Sequence, residues 1–293
     1  MPKVAYIKKR FTPEVSKTIT SANEIIASYE AQGFILTLRQ LYYQFVSRGL
    51  VKNDTKSYKR LGEAINDGRL AGLIDWYAIE DRTRNLKSLS TWESPKSIIE
   101  ASARSYRTDK WANQPNRIEV WIEKEALAGV FERVCHEMEV PFFSCRGYTS
   151  QSEMWSAGQR LKRICDGGQE PIILYFGDHD PSGVDMTRDI RDRLKLFMGG
   201  IEISRLALNM DQIEEHQPPP NPAKITDSRS GAYIDLYGND SWELDALEPS
   251  LLADLVRKAV MKQRNETLWT DAVAKQEKER EHLNKLAKRR VGK

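Results

Sequence analysis

Two aspartates spaced i, i+2 close an apolar run at residues 172–183, which read IILYFGDHDPSG. In an extended segment, side chains at i and i+2 share a face. Asp178 and Asp180 are therefore expected to point the same way from the carboxyl end of a strand. Carboxylates that close repel each other unless a cation or a proton lies between them. Mg²⁺ meets that need with one or two carboxylates plus phosphate and water. A third carboxylate, Glu123, ends the alternating stretch in EVWIEKEA. Open α/β sheets place their ligands at such strand ends. Ser182 and Gly183 open the following helix, whose first amides favour anions.

The stretch DHDPSGVDMTRD also approximates an EF-hand loop, with acids at its first, third and twelfth positions and glycine at the sixth. A strand-like IILYF precedes it rather than an amphipathic helix, Pro181 is awkward there, and Asp189 stands where a bidentate Glu is usual. A pair of solvent-facing acids capping a helix is the bland reading. His179 points to the opposite face and reads as packing or surface rather than as a ligand.

The elements that position these residues fall into two parts. The first third reads as helices: TPEVSKTITSANEIIASYEAQG runs to Gly33, and TLRQLYYQFVSRGL opens on a Thr37/Gln40 capping box. DTKSYKRLGEAINDGRLAGL makes a third helix, and IDWYAIEDRTR has strand-like composition. Three short helices and a small β element are the order of a winged helix-turn-helix, whose third helix is the candidate DNA reader. From about residue 115 strands and helices alternate, which predicts βαβ units and a mainly parallel sheet covered on both faces. The expected fold is α/β, with a winged-helix domain over 1–110 and the sheet domain with a helical extension over 111–293.

Charge divides the same way. The net +3 hides 19 Lys/Arg against 12 Asp/Glu in the first 110 residues, with an acidic balance after them. A basic module on an acidic one suggests polyanion binding beside metal binding. Lys56, Lys59, Arg60 and Arg69 on the third helix are the candidate phosphate contacts, with affinity falling as salt rises. Three cysteines without a CxxC pair suit a reducing cytoplasm rather than a disulfide frame or zinc site. No apolar stretch of membrane-spanning length and no secretion signal is read.

VWIEKEAL and YFGDHDPSG together resemble the Toprim domain, and most closely its version in the topoisomerase VI A subunit and the related meiotic double-strand-break enzyme. That family has a V-E-K motif and a D-x-D-P-x-G motif. The resemblance implies Mg²⁺, with Mn²⁺ as a substitute, held by Glu123, Asp178 and Asp180, with Glu125 the weaker candidate. The family also carries a winged helix ahead of its Toprim domain, with a nucleophilic tyrosine in T-x-R-x-x-Y-Y. Here TLRQLYY occupies residues 37–43, so the likeness spans roughly residues 10–245.

Helical geometry separates the two tyrosines. Leu38, Leu41, Tyr42 and Phe45 form one stripe and are expected in the core. Tyr43 lies one i, i+4 step from Arg39 on the other side. A phenol of pKa ~10 is a poor nucleophile at neutral pH; a guanidinium beside it favours the phenolate and can clamp a phosphate. Tyr43, with Arg39, is thus the candidate catalytic pair.

The resemblance implies double-stranded DNA as substrate, a 5′-phosphotyrosyl link and a homodimer in which one subunit's tyrosine meets the other's metal. The sequence carries no Walker-type glycine loop, so a separate ATPase subunit is a possible partner. After RGYT it departs from the family: Thr149 stands where proline is usual, and Glu153 and Met154 replace a Thr-Arg pair. Two other functions fit the residues, a Mg²⁺-dependent Toprim endonuclease using water as nucleophile and a DNA-binding protein without catalysis. The expected location is the cytoplasm, on DNA.

Overall fold

The computed structural model describes residues 3–80, 89, 91–224, 227 and 229–289. Thr12 caps α1 (Pro13–Ala31) by accepting the Val15 amide. Ile19, Ala22, Ile25, Ile26 and Tyr29 recur at helical spacing along α1 and are buried. Gly33, at φ +79°, turns the chain out of this helix. The capping box forms as read: Thr37 Oγ1 accepts the Gln40 amide at 3.3 Å, and Gln40 Oε1 accepts the Thr37 amide at 2.9 Å. It opens α2 (Leu38–Ser47). Asp54 caps α3 (Thr55–Leu70).

The strand expected after α3 does not form. Asp75 Oδ1 accepts the Tyr77 amide at 2.8 Å, an Asx turn that breaks the extended run. Only a single bridge, Ile79 to Leu36, remains of it among the described residues. The end of that segment, 81–84, lies outside the described residues; among the described residues no wing strand follows the three helices. The helix α4 (Pro95–Ser105) was not anticipated, although Ser94 and Ser97 cap it reciprocally and Pro95 suits its first turn.

The alternation beyond residue 115 gives an α/β structure. Strands β1 (Asn116–Ile122), β2 (Phe142–Ser144), β3 (Glu170–Phe176) and β4 (Glu202–Ala207) form a parallel sheet in the order β2-β1-β3-β4. Residues of β1 and β3 alternate between its two faces. Ile118, Val120, Ile122, Ile172, Leu174 and Phe176 join α5 (Ala128–Met138) and α10 (Pro249–Gln263) in one cluster. Trp121, Ile173 and Tyr175 join α6 (Gln151–Asp166) and α7 (Pro181–Met198) in the other. This is the two-sided covering that a parallel sheet requires. The helices α8 (Met210–His216), α9 (Ser230–Tyr237) and α11 (Glu266–Arg289) complete eleven α-helices among the described residues. The charged helix α11 packs on α4. The proline-rich stretch HQPPPNPAK, residues 216–224, contributes β5 (Asn221–Pro222), paired antiparallel with β6 (Asp240–Ser241). No described helix is long and apolar enough to cross a membrane.

The larger cluster does not stop at residue 110. Ile25, Tyr29, Leu41, Tyr43 and Phe45 from the N-terminal helices share it with Phe131, Leu244 and Val256. The two parts inferred from composition therefore rest on one core.

A buried ion pair closes the opposite face. Glu119 is 4% exposed. It accepts two hydrogen bonds from Arg160, at 2.8 and 2.9 Å, and one from Trp121 Nε1 at 2.9 Å. Arg160→Met is expected to destabilise the fold by about 3 kcal/mol, the low end for a broken buried pair because Arg160 is itself partly exposed. Adding Glu119→Leu should recover most of that loss, and denaturant midpoints at unchanged m-value measure both.

Candidate active site

The carboxyl ends of β1 and β3 lie side by side, because Ile122 pairs with Phe176. The register continues one residue further, where the Glu123 amide donates to the Phe176 carbonyl at 2.8 Å. Glu123 and Asp178 are thereby set next to each other, and Glu123 Oε2 accepts the Asp178 amide at 2.8 Å. Two glycines make the approach possible. A Cβ at Gly177 would lie 2.8 Å from Glu123 Oε2. At Gly183 it would lie 2.3 Å from the Asp178 carbonyl oxygen, closer than any real Cβ contact. Asp180 caps α7, with Oδ1 accepting the Gly183 amide at 2.6 Å and the Ser182 hydroxyl at 3.0 Å. That helix N-terminus is therefore answered by the protein's own carboxylate.

These acids are poorly solvated. Glu123 is 7% and Asp178 4% exposed. Burial, with the charge of Asp178 next, pushes the Glu123 carboxyl up to about 8. Burial likewise raises Asp178, against the pull of Lys124. Lys124 answers part of that charge: its Nζ lies 2.7 Å from Asp178 Oδ2 and 3.6 Å from Asp245 Oδ1, and it also contacts Glu243. Asp178 Oδ1 accepts the Leu244 amide at 2.8 Å. Among the described residues no three acid, thiol or imidazole side chains converge on one point for a metal. Each of the three carboxylates has one oxygen on a backbone amide, and Lys124 stands on the outer oxygen of Asp178. The donor set itself, oxygen-only and acidic, suits a hard divalent cation. Glu125, the weaker candidate, pairs with Arg146 at 3.1 Å.

The tyrosines separate in role, although both are buried. Tyr42 packs in the core, its hydroxyl 3.1 Å from both Asn53 Oδ1 and the Asp54 carbonyl. Tyr43, expected on the polar side of α2, is 4% exposed because the short turn Leu244–Ala246 covers that side. Its hydroxyl accepts from Arg39 Nη2 at 3.3 Å. Arg39 also pairs with Asp245 at 2.9 Å and Glu243 at 3.0 Å. The phenolate argument is thus outweighed: burial and Asp245 raise the Tyr43 hydroxyl, and Arg39 offsets only part of this.

Two adjoining cavities hold the set together. One, of about 440 Å³, is bordered by Tyr43, Arg39, Tyr58, Asp180 and Trp242. The other, of about 450 Å³, is bordered by Glu123, Lys124, Asp178, Asp180 and Arg146. Asp180, Arg39, Lys224 and Glu243 border both. A single chain therefore brings Tyr43 and the carboxylates together without a second subunit.

The remaining expectations divide. Lys56, Lys59 and Arg60 are exposed on α3, whose first turns edge the tyrosine cavity. Arg69 is turned inward, donating to the Ile79 carbonyl at 2.6 Å, and burial lowers it below the ordinary guanidinium range. It ties α3 to the following segment rather than offering itself to a phosphate. His179 packs as read, against Tyr233, Tyr237 and Trp242. Sequence reasoning missed Glu243 and Asp245, although WELDAL repeats the i, i+2 acid spacing that singled out Asp178 and Asp180.

The fold and site define an α/β protein with buried carboxylates at two parallel strand ends and a tyrosine–arginine pair facing them. No protein-family model and no curated protein sequence matches the chain.

Proposed function

We propose that this protein is a divalent-metal-dependent DNA-cleaving enzyme of the winged-helix-plus-Toprim kind, in which Tyr43 is the nucleophile. The observation that carries the reading is the pair of adjoining cavities, with Tyr43 at one, Glu123 and Asp178 at the other, and Arg39 and Asp180 bordering both. The Tyr43 oxygen forms a bond to a backbone phosphorus while the bond to the 3′ oxygen breaks. The phenolic proton passes to that leaving oxygen through the site's water, which gives a 5′-phosphotyrosyl link and a free 3′-hydroxyl. Arg39, held by Asp245 and Glu243, keeps a donor on the phenol oxygen as its charge develops. Glu123, Asp178 and Asp180 would hold a bound Mg²⁺ or Mn²⁺, which would neutralise charge on the phosphate. Such an ion would compete with the Lys124 ammonium for Asp178. Lys56, Lys59 and Arg60 supply phosphate contacts along α3.

One observation favours a second reading, hydrolysis by water: burial raises the Tyr43 hydroxyl and so works against its ionisation. Supercoiled DNA incubated with Mn²⁺ and quenched with denaturant separates the two. Transesterification gives protein on 5′ ends, lost in Tyr43→Phe and in Asp178→Ala. Hydrolysis gives nicks without adducts, lost in Asp178→Ala and retained in Tyr43→Phe. Binding without any cut refutes both.

A further inference from the structure

Among the described residues four cations border the two adjoining cavities, and three are already engaged. Arg39 is held by Asp245 and Glu243, Lys124 by Asp178 and Glu243, and Arg146 by Glu125. Lys224 is the fourth. It is exposed, borders both cavities, and among the described residues its ammonium has no carboxylate within ion-pair distance. It lies two residues beyond the Asn221–Pro222 strand, whose antiparallel pairing with Asp240–Ser241 lies beside the tyrosine cavity. Asn53 of the N-terminal helical part holds the same strand, donating to Asn221 Oδ1 at 2.8 Å and the Pro220 carbonyl at 3.1 Å.

Building on the cleavage reading above, we propose that Lys224 is a catalytic residue that grips the scissile phosphate, donating to a non-bridging oxygen. A phosphate lying between Tyr43 and Asp180 sits in the cavity that both border, and among the described residues Lys224 is the cation bordering it that no carboxylate pairs with. As the phosphorus becomes five-coordinate its non-bridging oxygens gain negative charge. A compact ammonium carries that charge on rotatable donors. Lys224 takes no proton; the P–O bonds made and broken are those already given.

The test compares wild type, Lys224→Ala and Lys224→Arg on a duplex saturating for each chain, with Mn²⁺, and measures the rate of covalent adduct formation. Lys224→Ala is expected to slow that rate by about 10²–10³-fold, with DNA affinity changed far less and Lys224→Arg partly restored. A second duplex carries a neutral methylphosphonate at the cleaved linkage. There the ratio of wild type to Lys224→Ala is expected to shrink toward one, a response that a merely structural lysine does not give. An unchanged adduct rate in Lys224→Ala, or a deficit removed by saturating DNA, overturns the proposal while leaving the tyrosine reading intact. Wild type that nicks without adducts overturns the tyrosine reading instead, and the nicking rates of the same variants then decide Lys224. Wild type that does neither overturns both.

Discussion

Mixing Tyr43→Phe chains with Asp178→Ala chains is expected to restore no covalent adduct. Each variant alone lacks one half of the chemistry. If subunits exchanged active-site parts, random pairing of two chains would give about half mixed dimers, each with one intact composite site, and adducts would reappear. The structure gives a physical reason to expect otherwise. Arg39 bonds Tyr43 and pairs with Asp245 and Glu243, and Lys124 continues the chain of contacts from Glu243 to Asp178. The nucleophile and the acids are tied through four charged side chains of one polypeptide. The readout is labelled 5′ ends on a denaturing gel. Recovered adduct at any mixing ratio shows a site shared between subunits and refutes a self-contained one.

Lys124→Met is expected to lower stability sharply without metal and to regain much of it with Mn²⁺. Removing one partner of a buried ion pair typically costs roughly 3–5 kcal/mol, because the other charge is left uncompensated. In this variant Asp178 loses its ammonium, and among the described residues Asp245 keeps Arg39 as its one ion-pair partner. The same loss frees the outer oxygen of Asp178 for a cation, so the variant should bind Mn²⁺ more tightly than wild type. The pH dependence has a definite sign. The Glu123 carboxyl titrates near 4.5 when unperturbed and at about 8 in the fold. Across that window the folded chain retains a proton that the unfolded chain has released. Its stability contribution is present below 4.5 and lost as pH rises through 8. Metal binds the ionised form, so the thermal shift produced by Mn²⁺ should grow with pH over the same interval. A flat shift would mean that Glu123 is not a ligand.

Much of the site was legible in local pattern. The acids at 123, 178 and 180 are placed by strand ends and by two glycines, features that short stretches of sequence carry. The capping box at Thr37 fixed α2 and set Arg39 beside Tyr43. What was not legible depended on contacts distant in sequence. Helical periodicity places Tyr43 away from its own domain's core, and it cannot show that a turn some 200 residues later covers that side. Arg69 reads as one more surface cation until the Ile79 carbonyl appears against it. Over residues 74–80 a strand-like composition gave way to a local competitor, the aspartate turn at Asp75.

The hydrophobic cluster that runs from Ile25 and Phe45 to Val256 has a practical meaning. Residue 110 is a poor place to cut. Fragments ending or beginning there would each carry an oily flank that the other was built to cover, and neither would make a well-behaved reagent. The tyrosine and the acids stand on one shared core, so an engineer would have to move them together.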